Sequence, residues 1–192
     1  VLHHVSFTVE PGETVAILGG TGSGKSTLMH LVNRLYELPP EGGSIRIDGV
    51  DVRRIRRSYL RRNVGMVLQE PFLFSRSIRQ NLAIAARGKE EQELLAAAQT
   101  AAIHQAVLGF SQGYDTMLGE RGVTLSGGQQ QRLSIARTLA ADPPILIFDD
   151  SLSAVDTETD SQIRKALAQR EHKATTLIIS HRLTTLMEAD RI

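Results

Sequence analysis

The chain has 192 residues, 41% of them apolar and 22% charged, which is enough for one well-buried domain and marginal for two. Lys and Arg number 22 against 21 Asp and Glu, and the resulting net charge of +1 argues against a nucleic-acid binder that relies on bulk charge. Cysteine is absent, which excludes disulfide scaffolds, thiol nucleophiles and cysteine-based zinc sites. No apolar run approaches the ~20 residues needed to span a bilayer. The opening VLHHVSFTVE has neither the charged start nor the apolar core of a signal peptide. A soluble, cytosolic α/β domain is the expectation.

The chain starts without Met and already within an alternating stretch, Val5-Ser6-Phe7-Thr8-Val9, that predicts a half-buried strand. It stops at Asp190-Arg191-Ile192 with no closing turn, so a fragment of something longer is expected. After a turn at Pro11-Gly12, Thr14 to Leu18 reads as a buried strand. A glycine-rich loop follows, then a helix with Leu28, Leu31, Val32 and Leu35 on one face, ended by Pro39-Pro40 and Gly42-Gly43. Ser44 to Asp48 and Val64 to Leu68 predict strands on either side of a basic stretch. From Phe72 to Gln112 the composition turns helical, with an Ala-rich segment over 90–102. A second glycine-rich loop at Ser126-Gly127-Gly128 opens a helix that Asp142-Pro143-Pro144 breaks. Ile145 to Phe148 is the most hydrophobic strand, followed by a helix over 157–169 and a strand over 175–180. Alternating strands and helices predict a mainly parallel sheet covered on both faces, interrupted by a helical insertion.

Gly19-Gly20-Thr21-Gly22-Ser23-Gly24-Lys25-Ser26 fits G-x-x-x-x-G-K-[ST] between a predicted strand and a predicted helix, the context this motif requires. The glycines let backbone amides turn toward an anion, and the helix N-terminus adds partial positive charge. Lys25 would reach the β- and γ-phosphates, and the Ser26 hydroxyl would ligate Mg²⁺, with Thr27 following it into the helix. A nucleoside triphosphate is the expected ligand. Ile145 to Asp149 supplies the second metal ligand, Asp149, at the C-terminal end of an apolar strand, where α/β proteins bind their ligands. Asp150, next in the chain, is the candidate to orient the attacking water.

The second loop, Leu125-Ser126-Gly127-Gly128-Gln129, is one more than most phosphate-loop enzymes carry. With it, the set of motifs resembles the nucleotide-binding domain of an ABC transporter, over essentially the whole chain. The resemblance implies a P-loop ATPase core over about 1–71 and 131–192, with an N-terminal antiparallel β-part and a helical subdomain over about 72–130. It implies that Ser126 and Gly128 cap ATP held by a partner domain, giving two sites in a head-to-tail dimer, and that the transmembrane domains of a transporter are further partners. Gln69 resembles the glutamine that contacts Mg²⁺ and links to the membrane domain. Ser153-Ala154-Val155-Asp156 resembles the loop that crosses the dimer interface, although Asp156 also suits a helix cap. His181 resembles the histidine that contacts the γ-phosphate. His3, His4, His30, His104 and His172 match no catalytic position and read as structural.

Exporter-type domains are resembled by Phe72-Leu73-Phe74, Ser77 to Leu82, and Gly119-Glu120-Arg121-Gly122. Phe72 and Phe74 are either a docking patch for the membrane part or an ordinary core pair. The six arginines between Arg53 and Arg62 suit a solvated helix face or, alternatively, an anionic surface. The implied location is the cytoplasmic face of a membrane, with no nucleic acid as partner. Two positions depart from the family. The aromatic residue that stacks on adenine lies upstream of the phosphate loop, before Val1, and no Tyr or Trp precedes Lys25. The family's usual glutamate after the metal-binding aspartate is Asp150 here, one methylene shorter, which implies a low intrinsic hydrolysis rate and the impaired site of a heterodimeric exporter. A hydrolysis-deficient, ATP-gated half and a soluble, non-transporting ATPase remain as alternatives.

Overall fold

The computed structural model describes residues 2–86, 88–119, 125–170 and 173–192. Its centre is a four-stranded, wholly parallel sheet in the order β1 (Thr14–Ile17), β6 (Thr175–Ile179), β5 (Ile145–Asp149) and β4 (Val64–Val67). These strands are nearly continuous apolar runs because both faces of a parallel sheet are covered. Along β5 and β6 the side chains alternate between two cores. Leu146, Phe148 and Ile178 enter one cluster, while Ile147, Leu177 and Ile179 enter the other with Val15 of β1. Met29 of α1 (Lys25–Val32) and Leu60 of α2 (Arg57–Asn63) complete the second cluster.

Helices α3 (Ile78–Ala83), α4 (Glu91–Thr100), α5 (His104–Leu108) and α6 (Gly127–Ala140) build the first cluster. Ser77 and Glu90 open α3 and α4 with complete capping boxes, and Leu94, Ala97 and Ala98 bury one face of α4 at helical spacing. Helix α6 lies close against β4 at Gly65. A Cβ there would stand 2.8 Å from Thr138 Cγ2 and 2.6 Å from Pro143 Cγ, so only glycine fits without repacking. Helices α7 (Thr157–Ala168) and α8 (Leu183–Met187) follow β5 and β6. Among the described residues, no helix is long and apolar enough to cross a membrane.

The parallel sheet and the separate antiparallel pair β2 (Arg46–Ile47) and β3 (Val50–Asp51) fulfil the α/β expectation. Two local expectations need correction. Val5–Val9 forms no strand: Val5 and Phe7 stay exposed, because β2 and β3 pair only with each other and leave that stretch without a ladder partner. The first helix ends at Val32 with Asn33 as its C-cap, before the Pro and Gly residues expected to stop it, and Leu35 is exposed. All six arginines of the basic stretch are exposed, as a solvated helix face requires, and two of them are also paired within the chain. Arg57 and Arg34 pair with Glu37, and Arg53 pairs with Asp51, whose carboxyl it holds down to about 2. The segment at Glu120, Arg121 and Gly122, and His172, lie outside the described residues.

Candidate nucleotide site

Parallel strands bring their C-terminal ends to one edge of the sheet, and the register here aligns Ile17 with Ile179, Ile179 with Asp149, and Phe148 with Val67. The residues just past those ends are the glycine loop, His181, Asp149 with Asp150, and Gln69. Four candidates from four separated stretches of sequence therefore share one edge. The loop folds through a turn in which Ser23 N–H donates to Gly20 O at 3.2 Å, and Gly24 begins α1 at φ 93°. No side chain caps that helix start. Its first-turn amides have no intrahelical acceptor, and so face outward as an anion-binding end.

Lys25 Nζ donates to Gly19 O at 2.7 Å and Gly20 O at 2.8 Å, folding the ammonium back over the loop. The Ser26 hydroxyl donates to Asp149 Oδ1 at 2.8 Å, and Asp149 is only 4% exposed. A hydroxyl and a carboxylate at hydrogen-bond distance form a hard-oxygen donor pair, which suits Mg²⁺, an ion usually held by one or two protein ligands plus phosphate oxygens and water. Among the described residues, no group of three His, Cys, Asp or Glu side chains clusters as a metal site. Asp150 takes a left-handed conformation at φ 46°, which a short carboxylate tolerates better than most side chains do. Its amide donates to Ile179 O at 3.0 Å, and its Oδ2 accepts from Gln69 Nε2 at 3.4 Å. His181 is exposed at the end of β6.

The second glycine loop is organised differently. Ser126 Oγ accepts from the Gln129 amide at 3.3 Å, while Gln129 Oε1 accepts from the Ser126 amide at 2.9 Å. Leu125 is buried beneath this start, and Gly128 faces Ala154, whose carbonyl oxygen would stand 3.3 Å from a Cβ added to the glycine. Asp156 is the N-cap of α7 and accepts from Thr159 N at 2.9 Å and Thr159 Oγ1 at 2.7 Å. These bonds, the backbone one foremost, hold its carboxyl below the ordinary value. Phe72 and Phe74 stack edge to face with centroids 5.1 Å apart and are exposed, so they are not a core pair.

The ABC transporter family model matches residues 2–153, four-fifths of the chain. The chain belongs to the ABC transporter family. It is 45% identical over 191 residues to a β-(1→2)-glucan export ATP-binding/permease protein of Brucella suis, covering all of this chain and 32% of that protein. It is 46% identical over 192 residues to a putative multidrug export ATP-binding/permease protein of Bacillus subtilis, covering 33% of that protein. A bacterial Atm1-family ABC exporter solved with ATP bound superposes with a TM-score of 0.93 at 44% identity, over 98% of this chain and 33% of that one. This ABC-family chain thus spans about a third of the length of the relatives it matches.

Three residues at the site carry no motif and were not singled out from the sequence as site residues. His30 Nε2 stands 3.9 Å from Asp149 Oδ2. Its position four residues after Ser26 on α1 was the available signal, since that spacing puts both on one face. Gln131 is fully buried on α6 and donates to Leu68 O at 3.2 Å, beside Gln69. Arg182 follows His181, and the partners of its guanidinium lie 22 to 29 residues away in sequence, beyond the reach of local pattern.

Proposed function

We propose that this chain is the ATP-binding and hydrolysing motor domain of an ABC exporter, acting at the cytoplasmic face of a membrane. The observation that carries it is the Ser26–Asp149 bond beside an uncapped helix start, with Asp150, Gln69 and His181 at the same sheet edge. The glycine loop from Gly19 to Gly24, with Lys25, Ser26 and Thr27, holds the triphosphate. Lys25 leaves the Gly19 and Gly20 carbonyls for the phosphates. Ser26, Asp149 and Gln69 are the residues to hold Mg²⁺, which would supply charge neutralisation for phosphoryl transfer. Asp150 orients the attacking water, held in turn by Gln69, and His181 faces the γ-phosphate. Ser126, Gly127, Gly128 and Gln129, above the buried Leu125, cap the nucleotide of a second ABC domain, with Asp156 at the crossing. The exposed Phe72–Phe74 pair, at the start of the helical subdomain over about 72–130, meets the transmembrane partner.

Asp150 favours a second reading, in which the chain is an ATP-gated clamp with little turnover. Its carboxylate falls roughly 1.5 Å short of the reach of a glutamate, and misplacement of about 1 Å can cost on the order of 100-fold in rate. Phosphate release by the wild type and by Asp150→Glu, each assembled with its partner domain, separates the two. A gain on the order of 100-fold supports an impaired but otherwise complete site. An unchanged rate refutes it. The motor reading as a whole fails if Mg²⁺–ATP does not pair this domain with a second copy or a related one.

A further inference from the structure

Arg182 lies at the junction of three loops the proposed site uses. Its Nη2 donates to Ser153 O at 2.8 Å and to Val155 O at 2.6 Å. Between those two clamped carbonyls sits Ala154, the residue that faces Gly128 at the start of α6. Ser153 in turn donates through its hydroxyl to Asp150 O at 2.7 Å and through its amide to the same oxygen at 3.2 Å. On its other side Arg182 is next to His181, and its amide donates to the buried Ser180 hydroxyl at 3.1 Å.

A charge-balancing role does not account for this arrangement. Asp160 is fully buried, but Arg164 already meets it at 3.1 and 3.4 Å, and the Thr185 hydroxyl donates to it at 3.0 Å. Arg182 Nη1 stands farther off, at 3.9 Å. Asp160 therefore orients the guanidinium, while the close bonds go to backbone. A planar fork can hold two carbonyls from one nitrogen and reach a carboxylate from the other, which an ammonium cannot reproduce.

We infer that Arg182 is a positioning residue that makes the His181 loop, the Asp150–Asp156 loop and the start of α6 move as one unit when nucleotide binds. The inference rests on the proposed ATP-driven pairing. It predicts that damage to the two ends of the unit is felt jointly, and only while the arginine is present.

A double-mutant cycle of His181→Ala and Ser153→Ala tests it. The readout is the concentration of a Mg²⁺-bound, non-hydrolysable ATP analogue that gives half-maximal pairing. Energy transfer reports pairing between domains labelled at a cysteine introduced at exposed Gln105, in a chain that has no other cysteine. With Arg182 the two effects should depart from multiplicativity by about fivefold or more. In Arg182→Lys and Arg182→Gln they should multiply to within about twofold, with far-UV circular dichroism unchanged. Independent effects with Arg182 present, or coupling that survives in both variants, overturns the inference. So does loss of the fold in both, which would make Arg182 a scaffold residue only. If the nucleotide drives no pairing in the wild type, the functional reading itself has failed.

Discussion

Gly24 opens α1 at φ 93° with no side-chain cap, whereas Ser126 opens α6 at φ −65° with both halves of a capping box closed. Both starts are glycine-rich, yet their amides are in opposite states. At α1 the first-turn donors face outward unbonded by any side chain, and Lys25 rests on loop carbonyls it can leave. At α6 the Gln129 amide is already bonded to Ser126 Oγ, and the Ser126 amide to Gln129 Oε1. The first start is preorganised for an anion in the single chain. The second already bonds two of its amides internally, and in the proposed function it meets a phosphate brought by a partner. Sequence motifs alone make the two loops look alike; the difference lies in which donors are satisfied.

The most damaging way to probe that difference is at the charged residue. Lys25→Ala should weaken Mg²⁺–ATP binding by about 100-fold or more, given roughly 1.5–3 kcal/mol per charge-assisted bond lost. Titration with a fluorescent ATP analogue reads this directly. Ser126→Ala should leave the same titration within about twofold, as a substitution remote from that loop. It should still lower stability by about 1 kcal/mol through loss of the cap, and prevent pairing. Equal losses of ATP affinity in both variants would erase the contrast.

A smaller effect separates the glycines. A Cβ on Gly24 would meet Leu2 Cδ2 at 2.9 Å in a left-handed conformation, so Gly24→Ala should destabilise by about 1–3 kcal/mol. Gly127 has open space around its Cβ direction and an ordinary helical position, so Gly127→Ala should change stability by less than about 1 kcal/mol. Thermal unfolding of the two variants side by side checks the ordering.

The smallest effect comes from α7, a third helix start, capped by a carboxylate rather than a hydroxyl or a bare glycine. Because Thr159 holds the Asp156 carboxyl below its ordinary 3.8, the stabilisation is complete above that pH. It is lost as the pH falls through the lowered value. Asp156→Asn keeps a capping oxygen but removes the titration, so its melting temperature should fall less steeply than that of the wild type below pH ~4. A parallel pair of acid profiles would show that the cap does not titrate.

The sheet strands were legible because their apolar runs are short, continuous and bounded by turn residues, as in Ile145–Asp149 and Thr175–Ile179. Val5–Val9 misled because alternation specifies which side chains share a face but supplies no partner for the backbone. The glycine loop was legible because its spacing is local. His30 was within reach of the same logic, since one helical turn joins it to Ser26. The bonds of Arg182 to Ser153 and Val155 were not, because nothing near position 182 encodes the location of position 153.

Local chemistry in the residue order determined the phosphate loop, the metal-binding strand end, the capped helix starts and the family to which they belong. Tertiary structure alone decided that Gln69 reaches Asp150, that His30 stands beside Asp149, and that one arginine clamps the turn that faces Gly128. The physical reason is that helix capping and strand burial act over a few neighbouring residues. A parallel sheet, by contrast, aligns strand ends separated by more than a hundred residues, and only its register decides which side chains meet.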